Sequence, residues 1–190
     1  MRLFVALEVP EPPRRDLRRR LNGLRDRLPR ARWVDLENVH LTLLFLGETA
    51  EAEIPALAAA LRQAFARCPP LDLRLAGGGT FPPGRPARVA WVGVEAPEEL
   101  MTLQEDVSRA AVETLGFEPE KRPYHPHFTL ARCPDPWRRE AIDKLKAALT
   151  GPIGPPFMAD HGVLFESKLS PKGARYRAVE VFPMIAEEGE

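Results

Sequence analysis

The pattern His-x-Thr-x occurs twice in this chain, as His40-Leu41-Thr42-Leu43 and as His127-Phe128-Thr129-Leu130. Only four histidines are present in 190 residues, so chance is a poor explanation for the duplication. Each copy lies in an apolar run, residues 39–46 and 127–131, whose β-branched and aromatic content reads as a strand. Side chains on a strand alternate faces. Each strand therefore presents an imidazole and a hydroxyl, about 7 Å apart, on one surface. Leu41, Leu43, Phe128 and Leu130 point the other way, into a core. A segment of helical period follows each copy: Ile54, Leu57, Ala58, Leu61 and Phe65 after the first, Trp137, Ala141, Leu145 and Leu149 after the second. The chain is expected to be built from two related halves.

The remaining sequence fills in those halves. Residues 2–9 alternate as a strand, and Leu17, Leu21, Leu24 and Leu28 form one stripe of a helix that begins near Glu11, with Pro12 and Pro13 tolerated in its first turn. The arginines at 14, 15, 18, 19 and 20 lie mainly off that stripe and read as a solvated face. Trp33-Val34-Asp35 is a short extended piece, and a second helix covers residues 52–67. Leu71, Leu73 and Leu75 alternate as a strand that runs into Gly77-Gly78-Gly79, a triplet with no Lys-Ser/Thr behind it and therefore no phosphate loop. Residues 88–95 form another strand, delimited by Gly84-Arg85-Pro86, and a third helix carrying Leu100, Leu103, Val107, Ala111 and Leu115 ends at Gly116. Residues 136–149 read as a fourth helix, and Gly151-Pro152-Ile153-Gly154-Pro155-Pro156 as a breaker. A closing hairpin over residues 158–168 and 174–182 turns at Ser170-Pro171-Lys172-Gly173. Roughly eight strands and four helices in paired order predict an α+β sandwich of antiparallel sheets.

Composition narrows the function. Hydrophobic residues make up 44% and charged residues 28%, the proportions of a soluble globular domain, long enough to bury a substantial core as one domain. Formal net charge is zero, so no overall basic field draws in long nucleic acid, and any polyanion contact must be local. No apolar stretch approaches the roughly 20 residues that span a bilayer, and the N-terminal apolar run is too short for a signal peptide, which predicts a cytoplasmic protein. Cys68 and Cys133 are the two cysteines, and they suggest neither a disulfide framework nor a zinc knuckle.

Two imidazoles facing one cleft from opposite sides form an acid/base pair. The reference pKa of imidazole is about 6.5, so one member is protonated while its mate is neutral near neutrality. Such a pair gives a proton to a leaving oxygen and takes one from an attacking water, each transfer typically worth 10²–10⁴-fold. Neighbouring hydroxyls hold phosphoryl oxygens. Phosphodiester cleavage without a metal or cofactor fits these groups.

With both motifs in place, the chain resembles the two-histidine (2H) phosphoesterases, specifically the bacterial and archaeal RNA 2′,3′-cyclic phosphodiesterase group, also called 2′-5′ RNA ligases. The resemblance extends from Arg2-Leu3-Phe4-Val5-Ala6-Leu7 through Asn38-Val39-His40-Leu41-Thr42-Leu43-Leu44-Phe45-Leu46-Gly47, Phe81-Pro82 and Arg88-Val89-Ala90-Trp91-Val92-Gly93-Val94 to Arg122-Pro123-Tyr124-His125-Pro126-His127-Phe128-Thr129-Leu130-Ala131-Arg132. It implies a two-lobed α+β fold with the motifs facing across a central cleft, opening of the 2′,3′-cyclic phosphate at RNA ends, and a 2′-phosphate product. For some members it also implies reversible 2′-5′ ligation of tRNA halves. By resemblance His40 is the acid toward the leaving 3′ oxygen and His127 the base for water, although the near-symmetric motifs do not separate these roles. Thr42 and Thr129 would hold the phosphate. Arg132 matches a family arginine near the phosphate, yet strict alternation places it on the face opposite His127. Either a bulge or the strand's end rotates it inward, or it is a surface charge.

His125-x-His127 lacks the third ligand a zinc site needs, so His125 is assigned to support or rim, and His161 has no recognisable partner. Tyr124, Phe4 and Phe45 are candidates to stack a base, although aromatic residues at such positions more commonly belong to the core. Two other readings share the motifs. One is a 2H enzyme for a small cyclic nucleotide or a 2′-5′ oligoadenylate, and the other is a non-catalytic module that docks an RNA terminal phosphate. The protein is expected to act as a monomer, away from membranes.

Overall fold

Among the described residues, nine strands and four α-helices follow one another as β1 (Arg2–Glu8), α1 (Glu11–Leu21), β2 (Arg32–Trp33), β3 (His40–Glu48), α2 (Ile54–Ala66), β4 (Leu71–Phe81), β5 (Ala87–Glu95), α3 (Glu99–Leu115), β6 (His127–Trp137), α4 (Arg139–Ala148), β7 (Pro152–Ala159), β8 (His161–Ser170) and β9 (Gly173–Pro183). The computed structural model describes residues 1–83, 86–170 and 173–185. Gly84 and Arg85 of the expected break before β5, and Pro171 and Lys172 of the expected closing turn, lie outside the described residues.

The strands join in the order β7-β4-β5-β6-β3-β1-β8-β9, with β2 added to β6, and all pairings are antiparallel. Two half-sheets, β7-β4-β5-β6 and β3-β1-β8-β9, thus meet at the two motif strands. The separate sheets expected from the sequence are one continuous sheet, because β3 pairs with β6 at Leu41 and Phe128. The C-terminal hairpin β8–β9 completes the half that contains β1 and β3.

The core lies between this sheet and the helices. Leu41, Leu43, Phe128 and Leu130 are almost fully buried on the face opposite the motif histidines, as alternation requires. Against the sheet or one another the helices bury Leu17 and Leu21 of α1, Leu57, Leu61 and Phe65 of α2, Leu100, Leu103 and Val107 of α3, and Ile142 and Leu145 of α4. Each such leucine contributes about 1.5–3 kcal/mol of apolar burial. α3 stops at Gly116, whose φ of +62° is the left-handed cap that glycine adopts without strain. On α1, Arg14 and Arg18 pair with Glu37 at 2.9 Å, and Arg20 reaches the carbonyls of Ala148, Thr150 and Pro152. These arginines brace the helix against neighbouring segments.

Several boundaries depart from the sequence expectation. α1 ends at Leu21, leaving Leu24 and Leu28 of the expected stripe beyond it, and Met158, expected in the closing hairpin, belongs to β7. The segment 151–156 is not a breaker but most of β7, and its prolines are tolerated because β7 is an edge strand with one row of backbone N–H groups facing no partner. The second motif strand runs on to Trp137, which pairs with Ala87 and is fully buried, so α4 begins later than its apolar period suggests. The glycine triplet lies within β4, where Gly79 leaves room for the Trp91 ring from β5.

Candidate active site

His40 and Thr42 on β3, and His127 and Thr129 on β6, are all half-buried on the sheet face away from the helices. Leu41 is the partner of Phe128, and continuing that antiparallel register sets His40 opposite Thr129 and Thr42 opposite His127. The two histidines then form a diagonal pair, about 7–8 Å apart at the backbone, related by a local two-fold through the Leu41–Phe128 pair.

Both imidazoles are oriented in the same way. Nδ1 of His40 lies 2.7 Å from the Asn38 carbonyl oxygen, and Nδ1 of His127 lies 2.7 Å from the His125 carbonyl oxygen. A carbonyl only accepts, so Nδ1 carries the proton in each ring and donates it, leaving Nε2 for chemistry. The contact comes from the backbone two residues upstream in both halves. His125 thus supports His127 through its main chain, while its exposed ring packs beside Trp91 at 5.0 Å between centroids.

A matched irregularity follows each motif. Val5 faces Leu44 and Ala6 faces Thr42, so Leu43 is an extra residue in β3. Ala90 faces Ala131 and Trp91 faces Thr129, so Leu130 is an extra residue in β6. Each bulge resets the alternation. Leu43 with Leu44, and Leu130 with Ala131, are both turned into the core, and the next residue emerges on the histidine face. In β6 that residue is Arg132, so the structure takes the bulge alternative for this arginine. In β3 it is Phe45, which is 58% exposed rather than in the core.

These side chains line a cavity of about 380 Å³. His40, Thr42 and Phe45 enter from β3, Thr129 and Arg132 from β6, and Arg2 and Phe4 from β1, with Ser167 and Tyr176 on the far wall from β8 and β9. His127 is not part of the lining, although Thr129, two residues on along β6, is. Among the described residues no aspartate or glutamate lines the cavity, which makes it a local cationic site in a chain of zero net charge.

The two rings have different surroundings. Phe4 stacks on His40 at 4.7 Å and Tyr176 meets it edge-on at 5.2 Å. Burial lowers the His40 pKa, while the Asn38 carbonyl and the Glu8 carboxylate pull it up. Phe81 meets His127 edge-on at 4.9 Å. Burial lowers the His127 pKa as well; its bond to His125 opposes this, and the His125 imidazole and the Arg132 guanidinium lower it further. The cross-strand partner of His40 is Glu8, whereas that of His127 is Gly93. A carboxylate therefore favours charge on His40, and cations oppose it on His127.

Sequence reasoning missed Arg2, Ser167 and Tyr176, which reach the cavity only through sheet order. Tyr124, considered for base stacking, is instead half-buried against the core, and its hydroxyl is bonded to the Thr42 carbonyl. Among the described residues no three His, Cys, Asp or Glu side chains converge as a metal site.

Residues 10–166 match the family described as the 2′-5′ RNA ligase superfamily. The chain is 31% identical to an RNA 2′,3′-cyclic phosphodiesterase of Methanothermobacter thermautotrophicus over 96% of this chain and 98% of that one. It is 35% identical to the protein of the same name from Thermus thermophilus, over 100% of this chain and 93% of that one. Among solved structures, one from Thermus thermophilus superposes with a TM-score of 0.82 at 30% identity, covering 99% and 100% of the two chains. Escherichia coli LigT in complex with 3′-AMP superposes at 0.74 with 27% identity, covering 96% and 97%.

Proposed function

The chain belongs to the 2′-5′ RNA ligase superfamily, and from that premise we propose that it hydrolyses 2′,3′-cyclic phosphodiester ends of RNA to 2′-phosphomonoesters, with His40 and His127 as acid and base and without a metal ion. The observation that carries the reading is the pair of imidazoles on adjoining strands, each held by its Nδ1 with Nε2 free, beside one cationic cavity.

The position of the cavity divides the labour. His40 lines it and His127 does not, so a nucleotide seated in it sets its own 3′ oxygen beside His40, and His127 is left to the water on the other side of the phosphate. Nε2 of His127 takes a proton from water as the water oxygen attacks phosphorus in line with the 3′ oxygen. The P–O3′ bond breaks, and Nε2–H of His40 protonates the departing oxygen. Thr42 and Thr129 hydroxyls and the Arg132 guanidinium hold the non-bridging oxygens, whose charge rises in the transition state. The Glu8 carboxylate opposite His40 and the cations near His127 support the same assignment. With an RNA 5′-hydroxyl in place of water, the same displacement makes a 2′-5′ linkage, which is how tRNA halves would be joined.

Every group invoked comes from one chain, which suits a monomer. The two free cysteines suit a cytoplasmic setting, and none of the described helices is long and apolar enough to cross a membrane. The test is incubation of chelator-treated protein with an oligoribonucleotide bearing a 2′,3′-cyclic phosphate, with the product end identified by phosphorus NMR. Turnover to the 2′-phosphate alone is expected. Loss of activity that zinc or magnesium restores, or a 3′-phosphate product, overturns the reading.

A further inference from the structure

We propose that Arg2, with Ser167 and Tyr176, forms a second anion subsite that takes the phosphodiester immediately 5′ of the terminal nucleotide, so that the enzyme prefers RNA chain ends to free cyclic mononucleotides. This rests on the reading of the His40 and His127 site given above. One cavity holds both groups: Arg132, Thr42 and Thr129 come from the motif strands, and Arg2, Ser167 and Tyr176 from β1, β8 and β9, with the Tyr176 ring reaching the edge of His40. The reaction at the cyclic phosphate uses only the first group. The second would be idle if the substrate carried a single phosphate.

The placement follows from the sheet. Arg2 lies two residues before Phe4 on the same face of β1, about 7 Å further along the strand. Phe4 in turn covers the His40 ring. Arg2 is therefore displaced from the reacting centre by one strand repeat, along the wall that the sugar-phosphate chain must follow once its terminal nucleotide is seated. Ser167 and Tyr176 are cross-strand partners in β8 and β9, and each brings a hydroxyl to the cavity. Burial raises the Tyr176 pKa, and the Arg132 and Arg2 guanidiniums both oppose that rise, so the phenol is within electrostatic reach of both cations. The nearest carboxylate by register, Glu48, instead lies 3.6 Å from the N-terminal amine, and among the described residues Arg2 has no ion-pair partner. An arginine and two hydroxyls in a cavity whose described lining has no carboxylate match a phosphate monoanion.

The experiment compares kcat/KM for adenosine 2′,3′-cyclic phosphate and for a diadenylate with the same cyclic end, in wild-type protein and Arg2→Gln. A third substrate replaces the internucleotide phosphate with an uncharged methylphosphonate. Wild type should favour the diadenylate by roughly tenfold, chiefly through KM, as one charge-assisted hydrogen bond allows. Arg2→Gln should bring the ratio toward one, and the methylphosphonate should do the same in wild type. A merely structural role for Arg2 would slow both substrates and preserve the ratio, which overturns the subsite. So does an equal rate on both substrates in wild type. If wild type turns over neither substrate, the phosphodiesterase reading itself fails and the subsite with it.

Discussion

The Tyr124 hydroxyl donates a 2.8 Å hydrogen bond to the backbone carbonyl of Thr42, tying the segment that leads into β6 to the motif strand of the other half. The next residue, His125, supplies the carbonyl that orients His127. One bond therefore couples the positions of the two half-sites. Tyr124→Phe keeps the ring and removes the bond. It should destabilise the fold by about 1 kcal/mol and lower kcat several-fold with little change in KM, as thermal unfolding and steady-state kinetics would show. An unchanged kcat would reduce Tyr124 to a packing residue.

Replacing His40 or His127 by Ala removes one proton transfer, so each variant should lose roughly 10²–10⁴-fold in kcat. Thr42→Val and Thr129→Val delete one phosphate contact and should cost about tenfold each. His125→Ala should stay within about tenfold of wild type, because the group that holds His127 is a main-chain carbonyl. A His125→Ala protein as inactive as His127→Ala would shift the base to His125.

With His40 as the acid and His127 as the base, as proposed, the active form needs His40 charged and His127 neutral. Both pKa values are lowered from 6.5, chiefly by burial, so the bell of kcat/KM against pH should be centred below that value. Glu8→Gln removes a carboxylate that favours the charged His40, and should move the alkaline limb to lower pH while the acid limb stays in place. Movement of the acid limb instead would exchange the two roles. Stability has a related sign: the unfolded chain binds protons first, so folding weakens as pH falls through 6.5.

A methyl group at Gly79 would overlap the Trp91 ring, which packs near both His125 and His127. Gly79→Ala should therefore destabilise the protein by about 1–3 kcal/mol and reduce turnover by displacing that ring. Calorimetry and kinetics on the same variant would separate the two effects. Wild-type stability and rate together would show that Trp91 moves aside without consequence.

Local sequence was sufficient wherever a property depended on neighbours a few residues away. The periods of two and of 3.6 located the motif strands and all four helices, and the duplicated His-x-Thr-x put an imidazole and a hydroxyl on one face of each strand. Gly116 marked the end of α3 for the same reason. The prolines of β7 misled, because whether a proline ends a strand or sits within it depends on whether the strand is at an edge, and edge position is a property of the whole sheet.

The sequence by itself determined the two motif strands and the chemistry of their side chains, since these rest on covalent order and strand alternation. Tertiary structure alone decided the rest. Pairing of Leu41 with Phe128 set the two halves side by side, and the bulges at Leu43 and Leu130 turned Phe45 and Arg132 toward the cleft. Sheet order carried Arg2 and Tyr176, from opposite ends of the chain, to one cavity wall. A bulge is the response of one strand to the register of its partner, and a cavity wall is made by segments distant in sequence, so neither is encoded in any short stretch of residues.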